Sequence, residues 1–276
     1  MELTDHNGHT YSLERLQERM LGILKYIDSV ARKNGIPYYL AYGTLIGAVR
    51  HHGFIPWDDD ADILITRDNY YRLIDAIVSD NDQRYQIMSL VNNKDWYTSC
   101  ARVVDTHTRI GQPFSRLLKD HHVFVDIMPL DGMPEGDLVC KFHFTLMSFY
   151  KIMAQCADHQ FVVDYERFPT IKKILKPFAS IMGARYWGEK ADRLARKRNY
   201  NTSRLIGYGT ANHKEGEITK DAYASTLDCD FCDTKLMIPV GYDEILTSQY
   251  GDYMQLPPEN KRMPIHIYDI YDLGED

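Results

Sequence analysis

The chain has no apolar run approaching the roughly 18 residues needed to cross a bilayer. Its opening, Met1 to Leu13, is polar and lacks the apolar core of a signal peptide. A cytoplasmic location is the expectation. Cysteine is scarce, with five residues, an odd number, scattered over 276; this suits a reducing compartment better than a disulfide framework. Cys229 and Cys232 form a lone CxxC with no further ligands beside it, so small reduced thiols are the simpler reading. Basic charge is also short: 32 Lys and Arg against 39 Asp and Glu leave a net charge of -7. That argues against general nucleic-acid binding, which requires a basic face. No repeat, low-complexity tract, Ser-His-Asp set or Cys-His set stands out. What remains is ordinary globular composition, 44% hydrophobic and 26% charged, on a chain long enough to bury a substantial core.

Acid, by contrast, is concentrated. Asp58, Asp59, Asp60 and Asp62 fall at the entrance to Ile63-Leu64-Ile65. Read as a strand, the segment sends Asp58, Asp60 and Asp62 to one face and Asp59 to the other. Same-face neighbours stand about 7 Å apart, near enough for two carboxylates to converge on one divalent cation. Without a cation such packed charge is costly, and some of the carboxyls should hold protons. A magnesium ion carrying a phosphate substrate is the simplest way to satisfy them. A solvated acidic turn and a calcium loop are the competing readings. An EF-hand would need glycine and a late glutamate inside a loop, whereas these acids run into an apolar stretch. The turn reading stays open for Asp58 and Asp59; Asp60 and Asp62 are the expected metal ligands.

Around that cluster the periodicity alternates. Apolar residues recur at helical spacing from Ser12 to Lys33, ended by Gly35 and Pro37. Tyr38 to Tyr42 reads as a short strand, Leu45 to Arg50 as a short helix N-capped by Thr44, and Asn69 to Val78 as a helix. Tyr85 to Leu90, Trp96 to Val104 and His122 to Met128 read as strands. Asp137 to Asn199 is helical in pattern, broken near Pro177, with a basic helix from Trp187 to Tyr200. A strand over Thr234 to Val240 and a helix over Asp243 to Tyr250 follow. The expected class is α+β: a core over residues 1–136, a helical insertion over 137–200, and a segment 201–276 that completes the core and the donor site.

Gly43-Thr44 precedes the predicted short helix. A glycine turn entering a helix leaves backbone N–H groups pointing outward, which favours a phosphate. Gly43 permits close approach, Thr44 offers a hydroxyl, and Arg50 can pair bidentately with another phosphate oxygen. Alone the pattern is an ordinary turn. The acidic segment soon after it gives it weight, because a phosphate cradle beside paired carboxylates is what metal-assisted phosphoryl transfer requires. Asp126, isolated between Val125 and Ile127, is costly to bury alone. A metal shared with Asp60 and Asp62 would supply its partner; capping a turn or facing solvent from an edge strand is the alternative.

The stretch from Leu40 to Asp62, Leu-Ala-Tyr-Gly-Thr-Leu-Ile-Gly-Ala-Val-Arg-His-His-Gly-Phe-Ile-Pro-Trp-Asp-Asp-Asp-Ala-Asp, resembles the signature of the LicD family. Val123 to Pro134, with its Asp-Ile-Met-Pro-Leu-Asp-Gly core, resembles the family's second block, and Tyr250 to Arg262 its C-terminal one. The resemblance is weakest in the helical middle. It implies a nucleotidyltransferase-like mixed sheet flanked by helices, related to DNA polymerase beta, in which a glycine-hydroxyl turn holds nucleotide phosphates and an Asp-x-Asp strand binds magnesium. Gly43 and Thr44, Asp60 and Asp62, and Asp126 match those positions. Ala61 stands where the family commonly has isoleucine, a departure that bears on packing.

The implied activity is transfer of a phospho-alcohol group by a Mg2+ (or Mn2+) transferase. The donor would be a CDP-alcohol, CDP-choline first among them. The acceptor would be a sugar hydroxyl of a lipid-linked or free glycan precursor such as teichoic acid or lipopolysaccharide. Asp60, Asp62 and Asp126 would hold the metal, and Asp126 would take the acceptor's proton. A nucleotidyltransferase that releases diphosphate, or a non-catalytic binding protein on the same fold, is the alternative. Arg102 resembles a family strand residue aimed at the site; a surface ion pair with Asp105 is its bland reading. Lys261, Arg262 and His266 would fold back onto the nucleotide, or else form a solvated tail. The insertion's apolar and basic residues suggest peripheral contact with the inner membrane leaflet, against the plainer reading of a bundle core with solvated charges.

Overall fold

A mixed seven-stranded sheet organises the chain in the computed structural model, which describes residues 2–4, 10–111, 115–117, 121–159, 169–211, 218–264, 266 and 269–274. In chain order come β1 (Glu2–Thr4), β2 (Thr10–Ser12), α1 (Leu13–Lys33), β3 (Tyr39–Leu40), α2 (Tyr42–Ile46), β4 (Asp62–Thr66), α3 (Arg67–Asp80), β5 (Tyr85–Met88), β6 (Ala101–Gly111) and β7 (His121–Gly132). Then follow α4 (Asp137–Asp158), α5 (Pro169–Met182), α6 (Ala184–Ala195), β8 (Ile206–Tyr208), β9 (Thr226–Phe231), β10 (Thr234–Pro239), α7 (Tyr242–Tyr250) and β11 (Asp269–Asp272). The sheet runs β11-β6-β7-β4-β3, with β5 also on β6 and β8 also on β7. β4 and β7 pair parallel, while β6 pairs antiparallel with β7. The α+β expectation holds.

α1 formed where the apolar pattern placed it. α1 starts at Ser12, whose Oγ accepts the Arg15 N–H at 3.4 Å, and ends with Gly35 in the left-handed region at φ +59°. One face of the sheet packs Ile63, Ile65, Val125 and Ile127 against Met20, Ile23, Leu24 and Ile27 of α1 and Leu73, Ile74 and Ile77 of α3. Each such burial is worth roughly 1.5–3 kcal/mol relative to exposure. The opposite face carries Leu64, Met128 and Leu130 beneath Tyr39, Ile206, Tyr223 and Ile245. Strand alternation puts Asp62 and Asp126 on this second face.

Four expectations change. β4 begins only at Asp62, so Asp58, Asp59 and Asp60 sit in a loop and not in a strand. The Asp58 N–H turns back to the Ile55 carbonyl at 2.9 Å, and Gln17 Nε2 of α1 donates to the carbonyls of Ile55 (3.1 Å) and Asp58 (2.9 Å). Second, α2 starts at Tyr42, with Ala41 in the capping position and Tyr42 at φ +47°. Thr44 is therefore inside the first turn rather than its cap, and a π-helical turn, Gly47–His51, follows. Third, α5 continues through Pro177, at the loss of one backbone N–H, and Gly183 at φ +79° makes the break. Fourth, β6 starts at Ala101 because Trp96 and Tyr97 are buried among α4, α5 and α6.

Helix α6 is tied to the sheet by a buried ion network. Arg67, opening α3, reaches Asp131 of β7 through Nη2 at 2.5 Å and Nε at 2.9 Å, and Asp192 of α6 through Nη1 at 3.0 Å. All three side chains are at most 12% exposed. Asp192 keeps its ion pair with Arg196 at 2.8 Å, so Arg67→Ala leaves Asp131 as the uncompensated buried carboxylate and should cost about 3–5 kcal/mol of stability, measurable by urea denaturation.

Candidate active site

The site is built where the parallel strands meet. Asp62 and Asp126 are register partners on β4 and β7, so two acids 64 positions apart in the chain become lateral neighbours on one face. The Asp126 N–H donates to the Ala61 carbonyl at 3.0 Å, which extends the pairing by one step. Thr44 joins α2 to this edge: its hydroxyl oxygen accepts the Asp62 N–H at 2.9 Å. Gly43 lies beside the acids as well. A Cβ there would stand 2.5 Å from Asp58 Oδ2, so the glycine makes room for a carboxyl group.

The acids bear the cost of their crowding. Burial first, then Asp60 and Asp59, push Asp58 up to about 8, and Asp58 and Asp60 share a side-chain hydrogen bond. Asp60 is raised by burial, with His266 pulling the other way. Asp62 is held well above the ordinary carboxyl value, by burial first and then by Asp60, Asp126 and Asp58. Part of this cluster therefore holds protons at neutral pH when no cation is present.

Two basic side chains counter it. Arg102, the register partner of Asp126 on β6, donates from Nε to Asp126 Oδ1 at 2.8 Å. Its guanidinium lies 3.7 Å from the Phe124 ring centroid and 5.6 Å from that of Trp96, which fixes its orientation. Asp105 instead pairs with Arg84 at 2.7 Å, its side chain fully buried, so the surface pair with Arg102 does not form. His266 donates its N–H to Asp59 Oδ2 at 3.1 Å and sets Nδ1 3.0 Å from Asp59 Oδ1, with Nε2 3.6 Å from Asp60 Oδ2. Burial opposes the charge on His266, but Asp59 and Asp60 raise its pKa overall.

A profile described as the LicD/FKTN/FKRP nucleotidyltransferase domain matches residues 35–187. The chain is also 30% identical, over 94% of its length and 98% of the relative's, to the lipopolysaccharide cholinephosphotransferase LicD of Haemophilus influenzae. It belongs to the LicD family. An uncharacterized protein of Rickettsia prowazekii is 45% identical over 113 residues, 41% of this chain and 39% of that one. One of Rickettsia typhi is 47% identical over 47 residues, 17% of this chain and 15% of its own.

Within this LicD-family chain the remaining expected residues are distributed unevenly. Arg50 donates from Nη1 to the carbonyls of Tyr253 (2.5 Å) and Gln255 (3.3 Å), tying the C-terminal block to the π-helical turn. Arg262 donates to the Pro257 carbonyl at 2.8 Å and lies 5.7 Å from the Trp57 ring, at the entrance to the acidic loop. Lys261 ends a short 3-10 turn and is exposed. Among the described residues, Asp59, Asp60 and His266 form a group whose ligand atoms all lie within 4.8 Å of one another; Asp60, Asp62 and Asp126 stand wider apart.

Other residues border the site without having been read from the sequence. The Cys100 thiol is 3.8 Å from Asp126 Oδ1 and is pushed to about 11 by burial and by that carboxylate. Tyr208, on β8 beside β7, is raised by burial first, with Cys100 and Asp126 adding to the shift. Lys151 of α4 donates to the Thr210 carbonyl at 3.0 Å and acts electrostatically on Cys100. Helix α4 thus reaches the edge of the cluster, a tertiary contact that no local pattern encodes.

Proposed function

We propose that this chain transfers phosphocholine from CDP-choline to a sugar hydroxyl of a cell-surface glycan precursor, lipopolysaccharide or teichoic acid, with departure of CMP. One observation carries the reading: Asp62 and Asp126 stand in register on adjacent parallel strands, with the Asp58-Asp60 pair beside them. The relative from Haemophilus influenzae supports the choice of group and acceptor.

The donor set fits a hard divalent cation, Mg2+ or Mn2+. It is all carboxylate oxygen apart from His266, and it is too crowded to ionise fully by itself. Asp60, Asp62 and Asp126 would hold the cation, with Asp59 and His266 closing the loop side. Bound there, it would neutralise the donor diphosphate and ease departure of CMP. The chain's own residues do the positioning. Thr44 fixes the Asp62 backbone, and the amides of Gly43 and Thr44 face donor phosphate oxygens. Arg102 orients Asp126, which accepts the proton of the sugar hydroxyl. Arg50, Lys261 and Arg262 supply positive charge at the rim. Catalysis of this kind rests on placement and charge rather than on a protein nucleophile.

Purified protein incubated with Mg2+, a glycan acceptor and either CDP-choline or CTP separates the readings. CMP appearing from CDP-choline only when acceptor is present is the expected result. Diphosphate released from CTP instead would assign nucleotidyl transfer, the activity that the domain's description suggests.

A further inference from the structure

α5 carries two apolar faces where packing requires one. Its inner face, with Ala179 fully buried and Leu175 beside it, packs with Met153, Ala154 and Ala157 of α4 and with Trp187 of α6. Turned away from these, Ile171, Ile174, Phe178, Ile181 and Met182 are 51, 64, 66, 79 and 48% exposed. At 3.6 residues per turn the five fall within one arc of about 100°. α4 repeats the pattern: Leu138, Phe142 and Phe149 share one stripe and are 83, 70 and 41% exposed. Single exposed apolar side chains need no explanation, but aligned rows of large ones do.

The charge beside these rows selects what covers them. Residues 169–198 hold nine Lys and Arg against two acids, in a chain whose net charge is -7. Lys190, Arg193, Arg196 and Lys197 of the α6 region, with Tyr150 and Leu194, line a cavity of about 510 Å³. Tyr150 joins that basic groove to the apolar stripe of α4, its ring 5.8 Å from Phe149 and 6.3 Å from Trp187. A second copy of the chain would bring this positive region against itself. An anionic surface would not meet that repulsion, and a bilayer supplies both its phosphates and an apolar layer beneath them. No described helix is long and apolar enough to cross a membrane, so the contact is with the surface.

We infer that α5 and the outer stripe of α4 dock this protein onto a bilayer rich in anionic phospholipid. The exposed Ile and Phe side chains enter the acyl boundary, and the Lys190-Arg193-Lys197 groove lies against lipid phosphates. This surface does not depend on the identity of the donor or of the group transferred.

The test is flotation of the full chain with two vesicle types, phosphatidylcholine alone and phosphatidylcholine with phosphatidylglycerol. Binding should be at least about tenfold tighter to the anionic vesicles, and should weaken as salt is raised from about 0.1 M to about 0.5 M. The triple variant Ile174→Ser/Phe178→Ser/Ile181→Ser and the triple variant Lys190→Glu/Arg193→Glu/Lys197→Glu should each lower binding about tenfold or more. All six side chains are away from the acid cluster, and circular dichroism checks that each variant is folded. Equal binding to both vesicle types, insensitivity to salt, or full retention in the Ser variant overturns the inference. So does an absence of vesicle binding together with a fall in sedimented mass in the Ser variant, which would assign the face to a second copy. The salt series on the unaltered protein decides the matter even if a variant fails to fold.

Discussion

Asp62→Asn is expected to lower turnover by roughly 1,000-fold while leaving the metal-free protein at least as stable as the unaltered chain. The two effects have one cause. Asp62 is held well above the ordinary carboxyl value, by burial first and then by Asp60, Asp126 and Asp58. An amide of the same shape removes that repulsion and keeps the backbone N–H that Thr44 accepts. It also removes the anionic oxygen needed to bind a hard cation. Asp126→Asn is a less clean test, because it leaves Arg102 without its carboxylate partner and should destabilise the protein as well. Rates with CDP-choline and acceptor, taken beside thermal melts without metal, check both halves. Native turnover in Asp62→Asn would remove this residue from the mechanism. Lost turnover with a strongly lowered melting temperature would make its role structural.

The legibility of these features tracks how local their causes are. α1 was readable because its apolar spacing, its capping Ser12 and its terminal Gly35 all act within a few residues. The protonation of the acidic cluster was readable too, since four aspartates within five positions must repel wherever they point. The start of α2 was not, because Tyr42 adopts a positive φ that no propensity favours and Thr44 is drawn to the Asp62 amide instead of to a cap. The alignment of Asp62 with Asp126 depends on which strands become neighbours, a property of topology; the cost of burying Asp126 alone pointed to a shared cation, and resemblance to the family matched both residues to its acid positions. The partner of Arg102 could have been read correctly. Residues 102 and 105 are three apart on one strand and so face opposite sides, which excludes their pairing without any structure. The contacts of Lys151 and Gln17 with the site's surroundings had no sequence signal, since both arise from helix docking.

Chelation of divalent ions should abolish turnover, and the loss should carry a pH signature opposite to that of an ordinary surface-charge effect. In the metal-free protein Asp58 is raised to about 8, and Asp60 and Asp62 are raised as well, whereas in the unfolded chain all three titrate near about 3.9. Between those limits the folded state binds more protons than the unfolded state, so stability falls as pH rises from about 4 toward about 8. His266 adds in the same sense: its pKa is raised, so its contribution is complete below its unfolded value and lost as pH rises through the folded one. A bound cation replaces the protons. Addition of Mg2+ should therefore raise the melting temperature more at pH 8 than at pH 5.5, by on the order of 5 °C. It should also release protons, seen by calorimetry in buffers of different ionisation enthalpy. In Asp62→Asn the pH slope should flatten and the Mg2+ increment should disappear. A metal-free melting temperature that rises steadily across this range, with no protons released on adding Mg2+, would mean that the acids do not form a cation site.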